Sequence, residues 1–296
     1  MEYNIIIMKR RKRRICLIIL AAIAVFILSD LAYSKYGLKT TYYEILSSKI
    51  TDPIRIVQLT DLHNSEFGTD NRRLIERVEE QEPDLILMTG DMLNSSDENT
   101  DIAENLIEDL SAVAPVYYSY GNHEEEYEEN YQTSLVPLLE EAGAVVLDKE
   151  YEDVAFADQT IRIGGIYGYC MPEKYLVSNE ADPEECAFLD DFMNTDNFTL
   201  LMCHMPYVWR VFNGLEEWKI DCVMCGHVHG GQIRIPFVGG LYAPDEGWFP
   251  GVEQGGWVSE DGQRYMVLSA GLGTSYHIPR FNNVPEIVVL DLLPET

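Results

Sequence analysis

Basic residues are scarce in this chain relative to acidic ones. Lysine and arginine together number 21 among 296 residues, against 50 aspartates and glutamates, which gives a formal net charge of −29. Proteins that bind nucleic acid neutralise its phosphates with Lys and Arg, so this balance argues against DNA or RNA as a partner. We interpret the acidic excess as a well-solvated protein surface.

Cysteine, glycine and proline are too infrequent for several classes of protein. Six cysteines in a chain of this length exclude a small disulfide scaffold. Cys222 and Cys225 have C-x-x-C spacing, but the chain has no second such pair and both lie in an apolar stretch, which favours core packing. The 21 glycines and 13 prolines do not indicate disorder. Because residues 45–296 contain no internal repeat and no linker, we expect one domain there.

The N-terminus combines a basic cluster with one long apolar run. Six basic residues occupy positions 9–14, and residues 15–28 contain no polar side chain apart from one cysteine. Extending this run to Tyr33 gives a helix long enough to cross a hydrocarbon core of about 30 Å. We therefore predict a cytoplasmic tail at 1–14 and a transmembrane signal anchor at 15–35, with the rest of the chain outside the cell membrane. A cleaved signal peptide or a twin-arginine export signal is the alternative.

Short apolar runs alternate with amphipathic stretches along the rest of the chain. We interpret residues 38–45 as an irregular lead-in or an edge strand. The runs predict strands at 54–59, 85–88, 116–120, 144–147, 160–166, 198–203, 220–225, 265–269 and 286–291. Helical spacing predicts helices at 71–81, at 101–113 with Asp101 as N-cap, around 135–139 with Gly143 as C-cap, and near 183–193. This alternation is typical of an α/β fold with a largely parallel sheet.

Five of the six histidines directly follow predicted strands. The segments at these strand ends are Asp61-Leu-His63, Gly90-Asp91, Gly121-Asn122-His123-Glu124, His204 and Gly226-His227-Val-His229. In open α/β sheets the carboxyl ends of the strands line the ligand crevice, so we expect these side chains to converge. Residues i and i+2 of an extended chain point to the same side, so Asp61 and His63 would face one centre. His227 and His229 would do the same. Each segment alone is a weak signal, whereas the five together predict a binding site.

The order of these motifs resembles a known family. D-x-H, G-D, G-N-H-E, a single His and G-H-x-H follow one another as in the calcineurin-like metallophosphoesterase superfamily. The segments His227-Val-His-Gly-Gly-Gln232 and Arg280-Phe-Asn-Asn-Val-Pro-Glu286 are similar to its branch of membrane-associated bacterial phosphodiesterases. The resemblance extends from about residue 50 to the last residue. It implies a four-layer α/β/β/α sandwich, preceded here by the predicted transmembrane helix.

The resemblance also implies a dinuclear metal site, and every ligand position of the motifs is present. By this resemblance, the first metal is bound by Asp61, His63 and His229, and the second by Asn122, His204 and His227. Asp91 bridges the two metals. His123 stays off the metals and assists the leaving group. Mixed imidazole, amide and carboxylate ligands favour Mn, Fe or Zn over Ca. We therefore expect two divalent metal ions as the cofactors.

The implied reaction is hydrolysis of a phosphate ester by a metal-activated hydroxide. We expect a phosphodiester substrate, with a phosphomonoester as the runner-up because the ligand set suits both. The predicted position at the outer face of the membrane favours a lipid or cell-envelope substrate. A non-catalytic envelope metal-binding protein is a further alternative, although His123 is intact. A metallo-β-lactamase would need a compact H-x-H-x-D-H motif. His227-Val-His229 is followed by Gly-Gly-Gln, which contains no Asp or His, so this class is excluded.

Some features leave alternatives open. His277 and Arg280 could reach a substrate phosphate or belong to a solvated loop. Cys170 and Cys186 could form a disulfide outside a cell. We expect residues 124–126, three consecutive glutamates, to form a solvated turn.

Overall fold

Two six-stranded sheets lie at the centre of the structure, a computed structural model that describes residues 2–168, 170–172, 174–175, 181–243, 247–274 and 278–295. The first sheet consists, in spatial order, of β1 (Lys39–Ser47), β16 (Glu286–Pro294), β2 (Ile54–Leu59), β3 (Leu85–Thr89), β4 (Val116–Ser119) and β5 (Ala144–Val146). Its strands are parallel except where β16 meets β2. All five residues of β3 are buried, as is typical of a parallel strand covered on both faces.

The second sheet has a parallel centre and antiparallel edges. It consists, in spatial order, of β14 (Gly255–Val258), β15 (Tyr265–Leu268), β9 (Cys222–Cys225), β8 (Phe198–Cys203), β7 (Gln159–Ile166) and β6 (Glu150–Phe156). The edge strands β14 and β6 run antiparallel to their neighbours. Two short hairpins lie apart from it: β10 (Arg234–Ile235) with β11 (Gly239–Gly240), and β12 (Tyr242–Ala243) with β13 (Gly247–Trp248).

Helices cover the outer face of each sheet. The helices are α1 (Glu2–Tyr36), α2 (Arg72–Glu79), α3 (Asp101–Ser111), α4 (Asn122–Tyr131), α5 (Val136–Glu141), α6 (Pro183–Met193), α7 (Tyr207–Arg210) and α8 (Gly214–Glu217). One core, with Leu106 of α3, lies between the first sheet and its helices, and another, with Phe192 of α6, lies against the second sheet. A third core, which includes Ile56 and Leu200, lies between the two sheets. The predicted α/β/β/α sandwich is confirmed.

Helix α1 contains a candidate membrane span, Arg11–Tyr36. Its 26 residues measure about 39 Å as a helix, which exceeds the roughly 30 Å of a bilayer core. The C-terminal end of α1 contacts the rest of the protein. The backbone N–H of Asn282 donates to Asp30 Oδ2 at 2.7 Å, and that of Asn283 donates to Ser34 Oγ at 3.3 Å. The candidate span therefore overlaps the predicted anchor and ends on the loop that precedes β16.

Each predicted strand is present, but two local expectations are wrong and one strand is not among those predicted. Residues 124–126 lie in α4, not in a solvated turn, and the side chain of Glu124 is fully buried. Asp101 is the first residue of α3, and Thr100 occupies the N-cap position. Strand β6 was not predicted. Its sequence EYEDVAF is rich in acidic residues because it forms an exposed edge of the sheet. The cysteines of β9 are buried core residues as expected, and Cys170 and Cys186 are not joined by a disulfide.

Candidate metal centre

Five loops at the carboxyl ends of the strands meet between the two sheets. They follow β2, β3 and β4 of the first sheet and β8 and β9 of the second, and they carry Asp61, His63, Asp91, Asn122, His123, His204, His227 and His229. Contacts join the loops across the sheets. His204 Nε2 lies 3.1 Å from Asp91 Oδ2, and the backbone N–H of His227 donates to Asp61 Oδ1 at 3.0 Å. The fold thus brings the eight site residues of the sequence analysis into one cluster.

The potential ligand atoms of this cluster form three overlapping groups. Within each group the atoms lie within 4.8 Å of one another; the groups are Asp61 with His63 and His229, Asp91 with His204 and His227, and His63 with Asp91 and His123. The first two groups contain the residues that the resemblance assigns to separate metals. Asn122 lies beside the second group, with Oδ1 3.1 Å from His227 Nδ1. His123 belongs to the third group, although the resemblance implies that it does not bind a metal. Its role therefore stays a prediction.

Five residues of the cluster have left-handed backbone conformations. Their φ angles are 54° for Asp61, 47° for His63, 54° for Asp91, 76° for His227 and 49° for His229. Such conformations cost of order 1–3 kcal/mol for residues other than glycine and concentrate at functional sites. Asp61 and His63 share a group, as expected, but the extended-chain reason for it is wrong, because the backbone at these positions is left-handed. As a result His227 and His229 fall into different groups instead of facing one centre.

Two glycines allow the loops to approach one another this closely. A Cβ atom on Gly226 would lie 2.2 Å from Thr60 Oγ1 and 2.6 Å from Asp61 Oδ2. Gly90 has φ +84°, and a Cβ atom there would lie 2.4 Å from the backbone nitrogen of Gly121. Any side chain at these positions would push apart the loops that carry the cluster.

The surroundings of His63 test whether the cluster fits a metal ion. Both ring nitrogens of His63 are buried, and neither has a hydrogen-bond partner within the described part of the chain. Nε2 lies 3.9 Å from Asp61 Oδ1 and 3.6 Å from Asp91 Oδ2. Burial lowers the pKa of His63 to about 3, so the ring is neutral at physiological pH. A buried polar atom without a partner is costly, whereas a cation shared with the two carboxylates would satisfy it. The donor set therefore fits a divalent metal.

The charges within the cluster are unevenly distributed. Burial raises the pKa of Asp61. Burial also acts to raise the pKa of Asp91, but the neighbouring His204 and His63 hold it well below its usual range. Burial acts to lower the pKa of His204, but the charge of Asp91 outweighs it and raises the pKa to about 10. Burial lowers the pKa of His229 well below its usual value. Without a metal, Asp91 and His204 are therefore an ion pair, while the rings of His63 and His229 are neutral, the form in which imidazole binds a metal.

The sequence of this region matches a family model. The calcineurin-like phosphoesterase family matches residues 54–231, a range that contains all five loops of the cluster. The chain belongs to this family. It is accordingly a metal-dependent phosphoric ester hydrolase, and the family fold implies divalent metal ions.

Two bacterial relatives resemble the chain over most of its length. Phosphodiesterase YaeI of Escherichia coli (strain K12) is 28% identical over 250 residues, which are 81% of this chain and 83% of that protein. The uncharacterized metallophosphoesterase YkuE of Bacillus subtilis (strain 168) is 28% identical over 266 residues, which are 86% of this chain and 85% of that one. Among solved structures, a dimetal phosphatase from Danio rerio aligns with a TM-score of 0.45 and 12% identity, over 74% of this chain and 88% of that chain.

Two hydrogen bonds fix the position of His123 in this phosphoesterase. Its backbone N–H donates to Asp91 Oδ1 at 2.9 Å, and its ring Nδ1 accepts a hydrogen bond from the backbone N–H of Ser95 at 3.1 Å. Because Nδ1 is an acceptor, the proton of the neutral ring is on Nε2. The ring is edge-on to that of His63, with the centroids 4.6 Å apart. His123 therefore presents an N–H donor beside the cluster.

Glu124 joins two of the loops and was not recognised as part of the site from the sequence. Its carboxylate accepts four hydrogen bonds: from the backbone N–H groups of Asp91 at 2.8 Å, Met92 at 2.9 Å and Gly121 at 2.7 Å, and from the Tyr118 hydroxyl at 2.6 Å. The signal available in the sequence was its position three residues after Gly121, where a Glu side chain can turn back to the start of a helix. Glu124 thus holds the loop that carries Asp91 against the loop that carries His123.

Arg280 is buried, with 4% of its surface exposed, which excludes the solvated loop, one of the two alternatives for this residue. Its Nε donates to the carbonyl oxygen of Gly273 at 2.9 Å, and its Nη2 donates to that of Ala270 at 2.7 Å. Burial lowers the pKa of Arg280 to about 10, so it is still cationic at physiological pH. Gly273, whose carbonyl oxygen Arg280 binds, donates its own backbone N–H to the carbonyl oxygen of Asp61, so Arg280 lies near the cluster. His277, considered together with it, lies outside the described residues.

Proposed function

We propose that this chain is a phosphodiesterase that holds two divalent ions, Mn, Fe or Zn, in the cluster. The proposed ligands are Asp61, His63, Asp91, Asn122, His204, His227 and His229. The observation that supports this most strongly is the buried His63 ring, neutral and without a hydrogen-bond partner among the described residues, beside two carboxylates. When bound, two such ions supply a hydroxide nucleophile and stabilise charge on the phosphoryl oxygens.

His123 is the proposed catalytic residue. Its Nε2–H faces away from the Ser95 hydrogen bond and can donate a hydrogen bond that stabilises the negative charge developing on the leaving oxygen. The backbone hydrogen bond to Asp91 keeps the ring at the edge of the cluster. Glu124 acts through other residues: by binding the N–H groups of Asp91 and Gly121, it sets the distance between the bridging carboxylate and His123.

A phosphodiester is preferred over a phosphomonoester as the substrate. The support for this preference is the overall similarity to a relative named as a phosphodiesterase, over 81% of this chain. The ligand set by itself suits both classes, so a phosphomonoesterase is the second candidate.

We further propose that residues 15–35 anchor the catalytic domain, residues 45–296, at the outer face of the cell membrane, with residues 1–14 in the cytoplasm. The basic cluster before the apolar run supports this orientation. The proposed substrate is a lipid or another phosphodiester of the cell envelope. Protease added to spheroplasts should degrade the catalytic domain; protection of the domain until the spheroplasts are lysed would contradict the orientation.

The test of activity compares a diester with a monoester. Full-length protein would be purified in lipid nanodiscs, loaded with Mn²⁺ and assayed with bis-p-nitrophenyl phosphate and p-nitrophenyl phosphate. We expect a higher kcat/KM for the diester, and a fall in kcat of about 10²–10⁴-fold in His123→Ala with unchanged metal content. Glu129→Ala, a change at an exposed position of the same helix, is the matched control. A preference for the monoester would favour the second candidate, and no turnover of either ester would contradict both.

A further inference from the structure

A cavity of about 360 Å³ lies where the end of α1 meets the loops of the catalytic domain. Lys35, Tyr36 and Glu66 line it and are exposed, so it reaches the protein surface. Small-molecule pockets have volumes of roughly 300–1,000 Å³, so the cavity can hold a ligand. Five apolar residues from three parts of the chain line it: Leu31 of α1, Phe67 after β2, and Leu272, Pro279 and Pro285 between β15 and β16.

The segment that lines this cavity at Leu272 and Gly273 also contacts the loop that carries Asp61. The backbone N–H of Gly273, a lining residue, donates to the carbonyl oxygen of Asp61 at 2.5 Å. The N–H of Leu272 donates to the carbonyl oxygen of Thr60 at 3.0 Å. A Cβ atom on Gly273 would lie 2.1 Å from the carbonyl oxygen of Leu62, so glycine at this position allows the two segments to approach closely. A ligand in the cavity therefore lies next to the proposed metal ligands.

Arg280 supplies a positive charge where the cavity adjoins the loop that carries Asp61. It lines the cavity, and the hydrogen bonds of its Nε and Nη2 to Gly273 and Ala270 fix the guanidinium there. The remaining nitrogen, Nη1, is buried and has no hydrogen-bond partner in the described part of the molecule. A buried guanidinium N–H without an acceptor is suited to an anionic oxygen. The site thus combines an apolar cavity with a cationic group on the side of the metal cluster.

We propose that this cavity binds the acyl chain of a membrane lipid whose phosphodiester is bound at the metal cluster. The inference rests on the proposed phosphodiesterase function and names the class of its substrate. One wall of the cavity belongs to α1, the candidate membrane span, so a lipid can enter it from the bilayer surface. The same helix end exposes Tyr33, Lys35 and Tyr36, and aromatic and long basic residues are typical of the bilayer interface.

The first test measures how activity depends on chain length. The substrates are p-nitrophenyl diesters of phosphate whose second ester group is methyl, butyl or octyl, assayed with full-length Mn²⁺-loaded protein in nanodiscs of zwitterionic lipid. Each methylene that enters an apolar cavity from water favours binding about fourfold, so two or more buried methylenes give at least about a tenfold gain. We expect kcat/KM to rise by at least this factor from the methyl to the octyl ester.

Leu31→Trp fills the cavity, and Leu28→Trp is its matched control. Leu28 lies one turn earlier on α1, is 66% exposed and does not line the cavity. The measured quantity is the ratio of kcat/KM for the octyl ester to that for the methyl ester within each protein, which cancels any general change in activity and in partition into the bilayer. We expect the ratio to fall at least about tenfold in Leu31→Trp and to stay at the wild-type value in Leu28→Trp.

The outcomes separate this inference from the function on which it rests. Hydrolysis of all three esters with the same ratio in the three proteins would overturn the lipid cavity and leave the phosphodiesterase intact. Failure of the wild-type protein to cleave any diester would overturn the phosphodiesterase first. A second measurement does not depend on activity: an octyl phosphate with a terminal diazirine would be photolysed with metal-free protein. Labelling of peptides that contain Phe67 or Leu272 is expected, and labelling confined to α1 would contradict the cavity.

Discussion

The ring of His204 lies between two oxygen atoms, with Nε2 3.1 Å from Asp91 Oδ2 and Nδ1 2.8 Å from the carbonyl oxygen of Thr89. A carbonyl oxygen can only accept, so Nδ1 carries a proton. In the absence of metal Nε2 also carries one, because the charge of Asp91 outweighs burial and raises the pKa of His204 to about 10. The Thr89 contact orients the ring so that a metal ion can replace the proton on Nε2.

Metal binding should therefore release about one proton from His204 at neutral pH. The folded pKa lies above the working pH, so protons compete with the metal throughout the range below about pH 10 and the apparent affinity should rise as the pH rises. Calorimetric titration with Mn²⁺ in buffers of different ionisation enthalpy measures the released proton. His204→Ala should bind more weakly and release about one proton fewer. Binding by the wild-type protein without proton release would contradict the assignment.

Glu124→Gln should destabilise the protein and weaken metal binding. An amide NH₂ at the Oε1 position loses the hydrogen bond from the Met92 N–H, while the Tyr118 hydroxyl can reverse to accept, and the remaining bonds lose the charge of their acceptor. Hydrogen bonds to a charged group contribute about 1.5–3 kcal/mol each, and we expect the free energy of unfolding to fall by about 3 kcal/mol in urea titrations. The control is Glu125→Gln, the next residue of α4, with an exposed side chain. Equal stability of the two variants would show that the buried carboxylate is not needed.

Gly226→Ala should reduce metal affinity by at least about tenfold while the protein still folds. The added methyl group would contact Thr60 and the carboxylate of Asp61, and relief of that clash must displace one of the proposed ligands. Metal content after dialysis against buffered Mn²⁺ measures the effect. Gly256→Ala on β14 is the control, because its Cβ would meet only the ring edge of Tyr43 within 3.4 Å. Wild-type metal content in Gly226→Ala would contradict the role of this close approach.

Asp30→Ala, a change near the C-terminal end of α1, should lower both the thermal stability of the protein and its affinity for metal. Asp30 accepts the N–H of Asn282, and the side chain of the next residue, Asn283, donates to the carbonyl oxygen of His229 at 2.6 Å. Loss of the first bond should cost about 1 kcal/mol and lower Tm by about 2–4 °C. Metal affinity should fall as well. Thermal unfolding of full-length protein in nanodiscs, with and without Mn²⁺, measures both effects. Ser29→Ala, at an exposed neighbouring position, should match the wild type.

The elements predicted correctly from the sequence are those whose buried residues are apolar. The runs that became β2, β3 and β8 are buried along nearly their whole length, so hydrophobicity alone located them. Helix α6 begins at Pro183 after Asp182, whose side chain accepts from Glu184 N, and it was predicted at its observed bounds because both start signals are local.

The remaining elements depend on contacts that are distant in sequence. Helix α4 buries Glu124 and Tyr127, and the Glu124 side chain is held by hydrogen bonds. The helix therefore has no apolar period that could be recognised in the sequence. The left-handed backbone at Asp61 and His227 is equally invisible in the sequence. Neither residue is a glycine, and the conformations are imposed by loops from two different sheets.

The junction between α1 and the first sheet is very short. The helix ends at Tyr36, β1 begins at Lys39, and nine residues of β1 then pair in register with β16. Two connecting residues extend at most about 7 Å, whereas the volume sampled by a flexible tether grows with its length. In the proposed orientation the active site therefore stays at a nearly constant height above the bilayer. Its substrates must arrive by lateral diffusion in the membrane or reach down to that height, since the enzyme cannot extend outward to meet them.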